Sequence, residues 1–178
     1  MTDSPGFIVW IEGLPGAGKS TLAQSLAKEL RARGRKVEVL DGDEVRQMFS
    51  PELGFSRKDR EMHARRVSYV ANRLARNGVA SLVSMVTPYE TSRQAARGVA
   101  EVPFHEVWLK CAPEVLRQRD PKGLYRRTAE GSISRLSGVD DPFEEPLNPD
   151  LTVDTTVSSV ADCTALILRI LSAGELAA

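Results

Sequence analysis

Gly13-Leu14-Pro15-Gly16-Ala17-Gly18-Lys19-Ser20 decides the fold. It fits G-x-x-x-x-G-K-[ST], the pattern of a phosphate-binding loop, and its surroundings fit as well. Phe7-Ile8-Val9-Trp10-Ile11 before it is a short apolar run that predicts a buried strand. Leu22, Ala23, Leu26, Ala27 and Leu30 after it recur at helical spacing. In such a loop successive backbone N–H groups point inward and form an anion nest, and the start of the next helix adds its dipole. Gly13, Gly16 and Gly18 let the backbone turn with no Cβ in the way. Lys19 is expected at the β- and γ-phosphates and the Ser20 hydroxyl on Mg²⁺, with Ala17 and Thr21 completing the nucleotide cradle.

The 178 residues suffice for a single domain with a sizeable core. Formal net charge is zero, so no strong global field points to nucleic acid or to a membrane surface. The apolar runs are too short to span a bilayer, and the N-terminus lacks the basic and apolar regions of a signal peptide. Cys111 and Cys163 are isolated, which predicts two reduced cysteines in a cytoplasmic protein. Eighteen arginines stand against six lysines. The planar guanidinium is the better fork for phosphate and sulfate, so arginines beside glycine- or aspartate-rich turns draw the eye.

Outward from the loop, strands and helices alternate. A helix over 19–33 ends at Gly34, and a second strand over 36–40 runs into Asp41-Gly42-Asp43. A short helix over 44–48 follows. Ser56 is the expected N-cap of a long helix over 57–76, with Val67, Val70, Ala71 and Leu74 as its apolar stripe. A third strand over 79–86 is apolar enough for burial on both faces and is broken by Thr87-Pro88-Tyr89. Helix 91–100, strand 104–111 and a helix opened by Pro113 come next. From 120 to 149 no period holds beyond a brief helix at 125–129, the mark of a functional lid. A fifth strand over 151–153 precedes a last helix capped by Ser158 or Ser159, with Ala161, Leu166, Ile167, Ile170 and Leu171 inward. The pattern predicts a three-layer, doubly wound α/β fold on a five-stranded parallel sheet, a P-loop kinase with a lid, as one domain over 1–178. Ligands in such sheets sit at the carboxyl ends of the strands, where Gly13, Asp41, Thr87 and Asp120 are expected to converge.

Asp41 and Asp43 face that crevice as a pair. One carboxylate can hold Mg²⁺ or its water and the other can accept the proton of an attacking hydroxyl; the alternative is a turn aspartate capping the next helix. Arg46 lies one turn beyond Asp43, and at least one of Arg60, Arg65 and Arg66 is expected to reach the crevice for an anionic acceptor. Arg119, Lys122, Arg126 and Arg127 flank the lid, which by closing cations over phosphates excludes water. Asp120-Pro121-Lys122-Gly123 matches the D-x-x-G of GTPase switches, but it follows a helix and no N-K-x-D motif exists, so a GTPase is excluded. His105, in an apolar strand, reads as structural.

These residues resemble the adenylylsulfate (APS) kinase family through nearly the whole chain. The segments that carry the likeness are 13–21, Leu-Asp-Gly-Asp-Glu-Val-Arg at 40–46, Leu-Gly-Phe-Ser-Arg-Lys-Asp-Arg at 53–60, Thr-Pro-Tyr at 87–89, Arg-Asp-Pro-Lys-Gly-Leu-Tyr at 119–125 and Gly-Val-Asp-Asp-Pro-Phe-Glu at 138–144. The resemblance implies transfer of the γ-phosphoryl of ATP, with Mg²⁺ on Ser20 and Asp41, to the ribose 3′-hydroxyl of adenylyl sulfate. It implies Asp43 as the group that orients or deprotonates that hydroxyl, Phe55 as a stacking face for the acceptor base, and Arg46 and Arg60 on its phosphosulfate end. Lys122 would reach in from the lid, Arg119 would sit near ATP, and His63 and Leu136 would occupy acceptor positions. It also implies a homodimer. The chain departs from the family pattern at His63 (usually Asn), at Leu136 (usually Phe), at Ser134 (usually Lys), at Glu90 (usually Arg or Lys) and at Thr87 (often Ser). All but Thr87 edit the acceptor side, which keeps two alternatives open: a sibling kinase for another nucleotide-linked anion, such as a cytidine diphosphoramidate, and a nucleotide-binding subunit without catalysis.

Overall fold

A computed structural model describes residues 5–176. Its five strands are β1 (Phe7–Glu12), β2 (Lys36–Asp41), β3 (Val79–Ser84), β4 (Phe104–Lys110) and β5 (Leu151–Asp154). They form one sheet in the order β2-β3-β1-β4-β5, and every pairing is parallel. The helices are α1 (Lys19–Ala32), α2 (Gly42–Phe49), α3 (Arg57–Ala75), α4 (Glu90–Gly98), α5 (Pro113–Arg119), α6 (Leu124–Ala129) and α7 (Val160–Leu176). The expected doubly wound, three-layer α/β architecture is therefore present.

β1 is the centre of the sheet and is buried along its whole length. Its side chains alternate between two cores, as the period of a strand requires. Phe7, Val9 and Ile11 pack with Leu22, Leu26 and Ile167 on the α1 and α7 side. Ile8 and Trp10 pack with Ala64, Val67 and Ala71 on the α3 side. Each such fully buried large side chain contributes about 1.5–3 kcal/mol relative to exposure.

The helix ends follow the sequence signals. Gly34, at φ +78°, closes α1: its N–H donates to Arg31 O at 2.9 Å and that of Arg35 to Leu30 O at 3.0 Å, a Schellman closure. Ser56 caps α3 reciprocally with Asp59. Among the differences from expectation are two boundaries and one residue expected inward. α2 starts two residues early, at Gly42, because the Asp41 carboxylate caps it by accepting from the Asp43 N–H at 3.1 Å. Only glycine fits there, since a Cβ would stand 2.6 Å from Met85 Cβ. β3 stops at Ser84 because its partners run out at Ile11 and Asp41. On α7, Ala161 is exposed and not inward; Cys163 and Thr164 take the buried face beside Ile167 and Leu171.

Just beyond β3, Thr87 takes φ +41° while 1% exposed. A non-glycine residue there stores about 1–3 kcal/mol, and a β-branched one is held only by its surroundings. Its Oγ1 accepts from Trp10 Nε1 at 2.9 Å and its carbonyl accepts from Arg93 Nη1 at 2.8 Å.

Candidate active site

The loop between β1 and α1 has the shape its glycines predict. Gly13, Gly16 and Gly18 lie at φ +147°, +82° and +96°, and a Cβ on Gly13 would meet Leu109 O at 2.6 Å. Lys19 curls back to donate to Leu14 O at 3.0 Å. Burial pulls its ammonium down to about 8, with Asp43 acting against that shift. The parallel sheet brings the end of β2 beside the start of α1. There the Ser20 hydroxyl donates to Asp41 Oδ2 at 2.5 Å, while Asp41 Oδ1 caps α2. The capping role considered for the aspartate pair thus belongs to Asp41. Asp43 stands exposed on the first turn of α2.

The segment from α5 to β5 reaches over this crevice. Lys122 forms an ion pair with Asp43, which raises the lysine's pKa. Tyr125, on α6, donates its hydroxyl to Pro15 O in the glycine loop at 2.9 Å. Asp120 accepts from the N–H groups of Tyr125 and Arg126 at 3.2 and 3.1 Å, so it is the anchor of α6 and no nucleotide switch. A Cβ on Gly138 would meet the Leu14 side chain at 2.4 Å, so the far part of the segment also lies against the glycine loop. Arg119, on α5, donates to Thr155 O at 2.7 Å, just past the end of β5.

A second wall gathers Arg46, Phe55 and Arg60. Phe55 is 52% exposed, with the Arg46 and Arg60 guanidinium carbons 5.0 and 5.4 Å from its ring centre. Arg46 donates to Gly54 O at 2.8 Å, and Arg60 donates to Phe55 O at 3.1 Å and Arg135 O at 2.5 Å. Arg60 also pairs with Asp141 at 3.3 Å, tying α3 to the lid. Of the three arginines weighed on α3, Arg60 is the one in this cluster; Arg66 is spent on Glu52 and Phe49 O, both at 2.6 Å.

Two expected acceptor residues lie elsewhere. His63 is 2% exposed. Its Nε2 donates to Gly42 O at 3.2 Å, which leaves Nδ1 to accept from the Ser50 hydroxyl at 3.0 Å. Burial, aided by Arg46, depresses its pKa to about 4, so the ring is neutral and both nitrogens are occupied. It pins both ends of α2 to α3 and does not line the crevice. Leu136 is 7% exposed, turned into the lid and not presented as an open face; its N–H donates to Asp140 at 2.6 Å. No motif assigns a role to Tyr125 or to the buried charges Glu12, Arg93 and Glu106. A glutamate inside an apolar strand, at position 12, was the available signal.

A phosphate nest, a carboxylate across from it and a cationic segment laid over both suit transfer to a second substrate with water kept out. Fold and site together define a P-loop phosphotransferase. The sequence profile of the adenylylsulphate kinase family matches residues 5–154, and the chain belongs to that family. A probable adenylyl-sulfate kinase of Archaeoglobus fulgidus is 50% identical over 84% of this chain and 96% of its own length. A probable bifunctional SAT/APS kinase of Sorangium cellulosum is 48% identical over 92% of this chain, which spans 28% of that relative. The structure of the Mycobacterium tuberculosis APS kinase in complex with AMPPNP and APS superimposes with a TM-score of 0.92 at 36% identity, covering 95% of this chain and 99% of that one.

Proposed function

We propose that the protein transfers the γ-phosphoryl group of ATP to the ribose 3′-hydroxyl of adenylyl sulfate, giving 3′-phosphoadenylyl sulfate for sulfate activation. The observation that carries this reading is the near-complete superposition on a kinase solved with AMPPNP and APS.

The described chain works as one kinase domain with residues 120–149 as its lid. The glycine loop, with Ala17, Lys19 and Thr21, cradles the triphosphate, and Arg119 borders the nucleotide from α5. Mg²⁺ fits the donors present: the Ser20 hydroxyl and Asp41 carboxylate are hard oxygens already 2.5 Å apart, and this ion takes one or two protein ligands beside substrate phosphates. When bound, it neutralises charge on the transferring phosphates. Asp43 takes the proton as the 3′-oxygen bonds to phosphorus and the bond to the β-phosphate oxygen breaks. Lys122, drawn off Asp43 by the bound triphosphate, leaves that carboxylate free and sits on the phosphoryl oxygens during transfer. Arg46 and Arg60 hold the anionic end of the acceptor, beside the Phe55 face. His63 supports this wall from behind.

An acceptor panel tests the reading: ATP·Mg²⁺ with adenylyl sulfate and with cytidine diphosphate derivatives, products read by mass. Adenylyl sulfate should turn over. Turnover of cytidine acceptors alone would name a sibling kinase, and ATP binding without any transfer would name a non-catalytic subunit.

We place the protein in the cytoplasm, where free Cys111 and Cys163 stay reduced. No helix among the described residues is long and apolar enough to cross a membrane. We also propose a homodimer. Met48, Phe49 and Tyr69 are 75%, 47% and 66% exposed on α2 and α3, and Arg66 ties the two helices together there.

A further inference from the structure

Arg93 is 1% exposed, yet its guanidinium holds parts of the chain far apart in sequence. Nη1 donates to Thr87 O and Nη2 to Glu144 O, both at 2.8 Å. Nε and Nη2 both donate to Glu90 Oε2, at 2.9 and 2.7 Å. The same Nε lies 3.6 Å from Glu12 Oε1 and 3.8 Å from Glu106 Oε1. Glu144 is the far end of the lid, and it is stitched to the same corner twice more. Its N–H donates to Pro88 O and its carboxylate accepts from the Glu90 N–H, both at 2.8 Å. Glu12 is the residue before Gly13. It is fully buried, and neither of its carboxyl oxygens has a hydrogen-bond partner among the described residues.

One planar fork thus joins the end of the lid and the left-handed Thr87 corner, and it stands against the strand end that launches the phosphate loop. Backbone conformations such as that of Thr87 persist only when their surroundings over-determine them, and they cluster at clamps and switches. A lysine cannot replace this arrangement, because a point charge does not reach three acceptors in fixed directions. Glu90, a departure from the family pattern, is the anion that aims the fork.

We propose that Arg93 is a positioning residue for phosphoryl transfer, locking the far end of the lid and the Thr87 corner in register with the phosphate loop. It touches neither substrate. It acts through Glu144, so that the lid closes with Lys122 over Asp43 and water stays out. The proposal rests on the phosphotransfer reading above. Loss of the lock should therefore uncouple the enzyme, raising ATP hydrolysis relative to transfer, and not merely lower the amount of active protein.

The test compares wild type with Arg93→Lys and with Glu90→Gln. The second change lies at the partly exposed edge of the network and removes only the aiming charge. Expected for Arg93→Lys is a fall in kcat for transfer on the order of 10²-fold, the scale of an ångström-sized misplacement, with ATP affinity little changed. The ratio of ATP hydrolysed to acceptor phosphorylated should rise, and Glu90→Gln should move it the same way by less. Trypsin cutting after Arg126, Arg127 or Arg135 should become several-fold faster in both variants, at nearly unchanged Tm in Glu90→Gln and at a lowered Tm in Arg93→Lys, whose buried acceptors lose their donors. Parallel loss of hydrolysis and transfer at a constant ratio, or lid cutting at the wild-type rate, would overturn the proposal. If wild type itself does not phosphorylate adenylyl sulfate, the activity assignment fails and the lid cutting still decides the role of Arg93.

Discussion

Asp43→Ala removes the proposed general base but leaves the glycine loop untouched. It should lower kcat by about 10²–10⁴-fold, the usual worth of a general base, with ATP affinity unchanged. Activity within a few-fold of wild type would move the base elsewhere. His63 makes a different prediction. His63→Ala removes the ring's bonds to Gly42 O and the Ser50 hydroxyl, each worth about 0.5–1.5 kcal/mol, and loosens α2 on α3. Because α2 carries both Asp43 and Arg46, kcat should fall and the KM for the acceptor should rise together. A raised acceptor KM with intact kcat would mean that His63 touches the substrate after all. The motif residues were legible because each occupies a fixed place in a continuous pattern. The burial of His63 was not legible: a histidine among arginines on a helix reads equally as a structural or a crevice residue until the packing of α2 on α3 is known, and only the family resemblance placed it at the acceptor.

At the scale of elements, the proposed lid is fastened to the rest of the fold at several separate points, and Tyr125 is the one on the glycine loop. Tyr125→Phe deletes its hydrogen bond to Pro15 O, a bond worth about 0.5–1.5 kcal/mol. The expected result is a KM for ATP raised by about 2- to 10-fold, following from that energy, with Tm nearly unchanged. No change in steady-state kinetics would show that Tyr125 does not hold the lid. Strands, helices and caps were readable from apolar period and from Gly34 and Ser56. The misplaced boundaries share one cause. α2 and β3 end where tertiary partners begin or run out, at the Asp41 cap and at the last rungs shared with Ile11 and Asp41. Ala161 failed similarly, because helical spacing fixes a stripe but not its rotation about the axis.

The whole molecule buries more acid than base beside its phosphate loop. Burial drives Glu12 up to about 10; Arg93 opposes the shift, and Glu106 and Glu90 add to it. The folded chain therefore keeps a proton that the unfolded chain releases above about 4.5. The stability this group lends is full below that value and is lost progressively as pH rises toward 10. Glu12→Gln, neutral at every pH, should be more stable than wild type by a margin that grows between pH 6 and pH 9, read by thermal unfolding. A margin independent of pH would mean that Glu12 is ionised. Assembly is tested as simply. Sedimentation should report a dimer, and Tyr69→Asp should shift it toward monomer; a wild-type monomer at micromolar concentration rules the dimer out. Neither property was legible in composition, since zero net charge hides a local excess and an exposed side chain is known only once the helices are packed. The central claim is chemical, and one measurement meets it directly: incubate the protein with γ-labelled ATP, Mg²⁺ and adenylyl sulfate, and locate the label. The account predicts label on the 3′-oxygen of the adenylyl sulfate ribose, removable by a 3′-nucleotidase. Label found only in inorganic phosphate, or on another oxygen of the acceptor, would contradict it.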